Sequence, residues 1–139
     1  MSEIDSREYN NTQKSEIRQQ AYPRVRICGN RKVIDVNENC FLNNSDRNAW
    51  FLNNENEIVH FDHVLESPEL QIVGKVLTSK KDFFTYPIAS SFLNIYLSDR
   101  RSLSDNYSKV SFNNIKCKLA AVQYADCQVF IPLIQKLSQ

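Results

Sequence analysis

A mainly β fold, either a small antiparallel barrel or a two-layer sandwich with at most one or two short helices, is what three features of the chain predict. The first is a ten-residue echo, in which Cys40-Phe41-Leu42-Asn43-Asn44 returns as Trp50-Phe51-Leu52-Asn53-Asn54, with Phe61 ten further on. The second is the way the chain turns. It has only two glycines but 15 asparagines, nine of them between Asn30 and Asn56. Asparagine tolerates the left-handed backbone region and its amide bonds local backbone groups, so each Asn-Asn pair reads as a strand terminator. The third is strict alternation near the end, where Ile115, Cys117, Leu119 and Ala121 are spaced by two. The echo is too short for a solenoid or propeller unit, which runs from about 20 residues upwards.

At 139 residues the chain suits one domain with a real hydrophobic core, and chains of this size bury roughly two-thirds of the surface they expose when unfolded. Residues 1–21 carry Ile4, Tyr9 and Ile17 among Ser, Asn, Gln and charges, too little to offset ordering entropy. A disordered polar tail is expected there, and a β-rich domain over 22–139.

The segment Arg24 to Val36 reads as a hairpin around Gly29-Asn30. A four-residue loop pairs Val25 with Val36 and Ile27 with Ile34 on one face, with Arg26 opposite Asp35 on the other. That register is expected over the two-residue loop, which sets Ile27 opposite Lys32. Ala49 to Leu52 and Ile58 to Val64 form a second hairpin across residues 53–57. Leu70 to Thr78 is a strand whose Gly74 marks a bulge or a close backbone neighbour, and Ser79 to Asp82 is a solvated turn.

Residues 86–97 fit either a helical face or a strand. The aromatic and β-branched content of Phe92 to Leu97 favours strand, with an α+β fold as the alternative. Arg100 to Ser108 reads as a polar loop. The last hairpin turns through Tyr124-Ala125-Asp126, setting Cys127 opposite Gln123 and Cys117 opposite Leu133, and Pro132 places its strand at an edge or a bulge. The expected core is Val25, Ile27, Ile34, Val36, Leu70, Ile72, Ile115, Leu119, Val129 and Ile131.

Net charge is +1, so no whole-molecule field draws the protein to nucleic acid or an anionic membrane. No apolar run approaches the roughly 18 residues a membrane span needs, the first residues lack the basic and apolar regions of a signal peptide, and an intracellular address in cytoplasm or nucleus is expected. Cys28, Cys40, Cys117 and Cys127 contain no Cys-x-x-Cys pair and read as buried thiols, with no Cys117–Cys127 bridge.

Chemistry is sparse. His60, Asp62 and His63 cluster, but on a strand His60 and His63 point to opposite faces, so no metal and no cofactor is expected. A cysteine nucleophile served by His60 and Asp62 is the best enzymatic reading, ranked third because each thiol sits in an apolar pattern that raises its pKa. Phosphate loops, nucleophile elbows and zinc-protease motifs are absent. A nucleic-acid-binding barrel ranks second, through Arg24, Arg26, Lys116 and Lys118 on polar strand faces. The leading expectation is a non-enzymatic protein–protein interaction or adaptor module, part of a larger assembly, with Trp50, Pro132 and Tyr124 as candidate contacts.

Overall fold

The computed structural model describes residues 21–133, so all but the last residue of the tail expected over residues 1–21, and the last six residues of the chain, lie outside it. The architecture is mainly β, and among the described residues no helix reaches seven residues. The eleven strands of the described residues are β1 Arg24–Cys28, β2 Arg31–Asn37, β3 Cys40–Leu42, β4 Trp50–Asn53, β5 Ile58–Leu65, β6 Gln71–Val76, β7 Lys81–Asp82, β8 Tyr96–Ser98, β9 Ser108–Val110, β10 Ile115–Tyr124 and β11 Cys127–Pro132. Four of the strands, β3, β7, β8 and β9, are pieces of two or three residues, too short to show a periodicity in the sequence.

Strands β1-β2-β3 make a small antiparallel sheet, and the other eight make a curled half-barrel in the order β9-β6-β5-β4-β10-β11-β8-β7. Alternation along β4 explains the packing. Trp50 and Leu52 face the concavity with Ile58, Leu119 and Phe130 of the neighbouring strands β5, β10 and β11, and Tyr96 of β8, further along the sheet order, joins the same cluster. Phe51 faces the convex side, where Val59 and Phe61 pack against Ile34 and Leu42 of the small sheet. The β4 strand is therefore buried on both faces.

Gly74 sits where two backbones nearly touch. A Cβ there would lie 2.5 Å from the carbonyl oxygen of His60 and 2.9 Å from Val59 Cγ1. The close-neighbour expectation holds, and the bulge falls on the facing strand, where Phe61 pairs Gly74, His63 pairs Val73 and Asp62 is the extra residue.

The β4–β5 hairpin follows its expected register. Its turn is held by Asn53, whose Oδ1 accepts from the backbone N–H of Glu55 (3.0 Å) and Glu57 (2.8 Å), and by Asn56 at φ 64°. Asn43 plays the same part after β3, accepting from Ser45 N–H at 2.9 Å. Paired asparagines end strands here through their amides, while the left-handed positions go to Asn56 and Asn94.

The other two hairpins correct the sequence reading. In β1–β2 the loop is Gly29-Asn30 alone, with Cys28 opposite Arg31 and Ile27 opposite Lys32. Gly29 at φ 66° supplies the positive φ that twist-matched two-residue hairpins require. Ile27 is consequently 72% exposed, and Asp35 is buried, with Arg24 Nε (3.1 Å) and Arg26 Nε (2.8 Å) both donating to it. Val33, Ile34 and Asp35 are buried in succession, so alternation could not choose the register.

In β10–β11 the loop is again two residues, and Tyr124 pairs Cys127. Ala125 takes φ 54° without being glycine, which is why composition did not reveal the turn length. The shift exposes Ile131, so it and Ile27 leave the expected core. Ile34, Ile72, Leu119 and Val129 are buried as expected, while Val25, Val36, Leu70 and Ile115 pack at the margin. Pro132 is not on an edge strand: β11 lies between β10 and β8, and Pro132 extends past Gln128–Phe130, the stretch that β8 pairs. There its missing N–H breaks no ladder.

The ambiguous segment resolves into a 3-10 turn, Ser90–Leu93, followed by β8, so the expected strand over Phe92 to Leu97 survives only from Tyr96. Two of the residues expected in the Ser79–Asp82 turn pair with β8 as β7. Leu77 bridges Leu103 across the expected polar loop, which holds a 3-10 turn over Arg100–Ser102 and ends in β9.

Candidate interaction surface

From Phe83, directly after β7, through the loop that ends at Ile95 and on to Ser98 at the end of β8, the chain has no charged side chain. This loop is built around Ser90, which is fully buried. Ser90 Oγ accepts from the N–H of Phe83 (2.8 Å) and Phe84 (3.3 Å) and donates to the carbonyl of Ile95 (2.8 Å). Its backbone N–H donates to the Phe84 carbonyl at 2.7 Å, and the Ser91 N–H donates to Asp82 Oδ1 at 2.6 Å. Those hydrogen bonds from Ser91 hold the Asp82 carboxyl below the usual carboxylate range. Asn94, in the left-handed region at φ 60°, ends the 3-10 turn and returns the chain to β8.

Held in this way, the loop presents apolar side chains outward. Tyr86 is 87% exposed and Phe92 79%, with Phe83, Ile88 and Leu93 also exposed. Phe83 meets Tyr124 edge to face at 5.0 Å between centroids, which joins the loop to the tip of the β10–β11 hairpin, where Val122 is exposed too. The patch lies beside β7, the terminal strand of the large sheet, whose Lys81, and Lys80 just before it, are exposed. Contiguous exposed apolar surface of this kind marks contact sites, whereas single exposed apolar residues do not.

Of the three contacts expected from sequence, Tyr124 (52% exposed) belongs to this patch. Trp50 is a correction: it is fully buried, edge to face with His60 at 4.5 Å and Phe130 at 4.8 Å, and cannot touch a partner in this fold. Pro132 lines a groove of about 450 Å³ between the two sheets, with Cys40, Cys117, Lys116 and Lys118. Ser90 and Phe92 were missed, and Tyr86 was weighed only as an exposed ring for the nucleic-acid alternative, although the uncharged run from Phe83 to Ser98 was a legible sign of all three.

The four basic residues named for nucleic acid do not form an open cationic groove. Arg24 and Arg26 bind Asp35, Lys116 donates to Asn56 Oδ1 at 2.9 Å, and Lys118 is buried, donating to Asn48 Oδ1 at 2.8 Å. Burial pushes the Lys118 ammonium below the ordinary lysine value. Phe41 joins the two sheets by carrying Lys118 at 4.1 Å and Arg26 at 5.7 Å from its ring centroid.

Nor does the structure assemble the thiol-enzyme constellation. The bulge turns Asp62 toward His63, whose Nδ1 lies 2.6 Å from Asp62 Oδ2, while His60 packs on Trp50. Burial, then the Arg100 cation, lowers the His60 pKa. Burial raises the Cys40 and Cys117 thiols, the reverse of an activated nucleophile, and all four cysteines are free. Among the described residues no group of three or more His, Cys, Asp or Glu side chains could hold a metal ion, and no helix is long and apolar enough to cross a membrane.

No curated protein and no solved structure matches the chain. The model of a domain of unknown function, DUF8592, matches residues 24–133, all but a few of the residues described above, and the chain belongs to that family.

Proposed function

We propose that this protein is a non-enzymatic protein–protein interaction module, a component of a larger assembly that works inside the cell and holds its partner through the Ser90-pinned loop and Tyr124. The carrying observation is that an apolar loop is fixed by a buried serine yet leaves Tyr86 and Phe92 almost wholly exposed. Binding by a preorganised loop avoids the ordering entropy that a flexible one must lose, and exposed aromatics are the side chains that most often dominate interface energy. Raised thiol pKa values and an Asp62–His63 pair without an adjacent nucleophile favour binding over catalysis.

The test is affinity capture of the full chain from its native lysate, in parallel with a Tyr86→Ser/Phe92→Ser variant, each with nuclease treatment. A stoichiometric protein that survives nuclease, is captured by the wild type and is lost by the variant at an unchanged thermal midpoint is the expected result. Equal capture by both would remove the loop from the interface.

A further inference from the structure

The small sheet covers the convex face of the large sheet only in part. Phe51 lies on that face beneath the small sheet and pairs Lys118 of β10, where the cover ends with Lys118 Nζ 4.1 Å from the Phe41 ring. Beyond Lys118 the same face carries Ala120 beside Ile131, and then Val122, Val129 and Leu97 in one row across β10, β11 and β8. Tyr124 and Cys127 follow at the hairpin end. The alternate side chains, Leu119, Phe130 and Tyr96, fill the concave core. These strands are therefore apolar on both faces, whereas an antiparallel sheet with a solvated outer face normally alternates apolar inward with polar outward. Val129 is buried, but Val122 is 49% exposed, Tyr124 52%, Ile131 37% and Leu133, which follows Pro132, 38%.

Charge is confined to the rim. Lys81 ends the Val122 row on β7, and toward the hairpin end stand Asp126 and the Asp99–Arg101 ion pair at 2.6 Å. An apolar centre within a polar rim is the anatomy of a protein–protein interface. With Phe83, which packs on Tyr124, the exposed apolar side chains of this face offer roughly 500 Å². A stable interface buries about 800 Å² per partner, and in homodimers about 65% of that is apolar, so the face has the area a dimer needs.

We infer that this face binds a second copy of the chain, sheet against sheet, in a two-fold dimer. Over β4 and β5 the apolar convex face is met by another sheet, and among the described residues no further sheet is left to do the same for β10, β11 and β8. A second copy supplies one of equal size and equal twist, and sheets of matching twist pack face to face, aligned within about 30°. Because the charges stand at the rim, a two-fold axis through the Val122 row sets no like charges against each other at the centre. The inference goes beyond the loop's role and does not rest on it: Tyr86 and Phe92 lie in no strand, and the two surfaces meet at Phe83 and Tyr124.

The experiment is sedimentation velocity on the full chain over a dilution series. At each concentration the rate of Cys127 alkylation by iodoacetamide is read by mass spectrometry, with exposed Cys28 of the small sheet as the internal reference. A species of twice the monomer mass that dissociates on dilution is expected, with Cys127 alkylated several-fold more slowly in the dimer and Cys28 unchanged. Val122→Glu/Ile131→Glu should weaken dimerisation roughly a hundredfold or more, since each copy would bring unpaired carboxylates into the interface. Both positions are exposed in the monomer, so cooperative unfolding should be retained; the Cys127 reading needs no variant. Tyr86→Ser/Phe92→Ser should leave the dimer intact, and loss of the dimer in that variant would move the interface to the loop and overturn the inference. A dimer that survives Val122→Glu/Ile131→Glu would overturn it as well. So would a monomer at every concentration: Cys127 protected throughout would assign the cover to residues 1–20 or 134–139 of the same chain, and Cys127 reactive throughout would leave the face to a different protein.

Discussion

Strands β4 and β5 and the loop from Phe83 to Ile95 are both rich in large apolar side chains, yet the strands bury nearly all of theirs while the loop carries Tyr86 and Phe92, the most exposed large apolar side chains among the described residues. The difference is cover. Trp50 and Leu52 are enclosed by the curl of the large sheet, and Phe51 and Val59 by the small sheet, so both faces of one hairpin are removed from water. Beyond β7 the large sheet ends, and nothing among the described residues lies over Tyr86 or Phe92. Hydrophobicity alone therefore does not separate core from contact surface; position in the sheet order does.

Substitutions sharpen the contrast. Trp50→Ala should cost about 4 kcal/mol of unfolding free energy in a urea titration, as large aromatic deletions in a closed core do. Gly74→Ala should cost about 3 kcal/mol, because the added methyl meets a backbone carbonyl that has no rotamer to escape into. Ser90→Ala should cost about 2 kcal/mol, since it leaves the Phe83 and Phe84 amides and the Ile95 carbonyl without their partner.

His60 gives a smaller, pH-dependent effect. Its pKa is lowered by burial and by Arg100, so as pH falls through the ordinary histidine value of 6.5 the unfolded chain takes up a proton that the folded chain resists. Stability is full above that value and declines below it; the thermal midpoint should drop between pH 7.5 and 5.5, and His60→Phe should flatten that part of the profile. Smallest of all, Phe92→Ser should leave the unfolding free energy within about 0.5 kcal/mol, as surface changes do. A Phe92→Ser cost close to that of Trp50→Ala would mean that the loop is core and the comparison fails.

The β class, the β4–β5 hairpin and the meaning of Gly74 could be read from the chain because each rests on a local rule: asparagine turn chemistry, alternation, and the space a missing Cβ leaves. The registers of β1–β2 and β10–β11 could not, because they depend on one backbone angle at Gly29 and at Ala125, and alternation is ambiguous where Val33, Ile34 and Asp35 are all buried. For the candidate surface, Tyr124 was visible and Trp50 was misassigned, since sequence shows that a tryptophan is present but not whether a second sheet covers it. Ser90 was invisible for a related reason. A serine in a loop is ordinary until three backbone groups converge on its hydroxyl.

The most direct measurement is amide hydrogen exchange on the full chain, read at Phe83, Phe84, Ser90, Ser91 and Ile95. A preorganised surface requires these amides to exchange slowly, close to those of β8, although the Tyr86 and Phe92 side chains are open to solvent. Exchange at the rate of an unfolded chain would show that Ser90 does not pin the loop, and the surface would then have no fixed form to offer a partner.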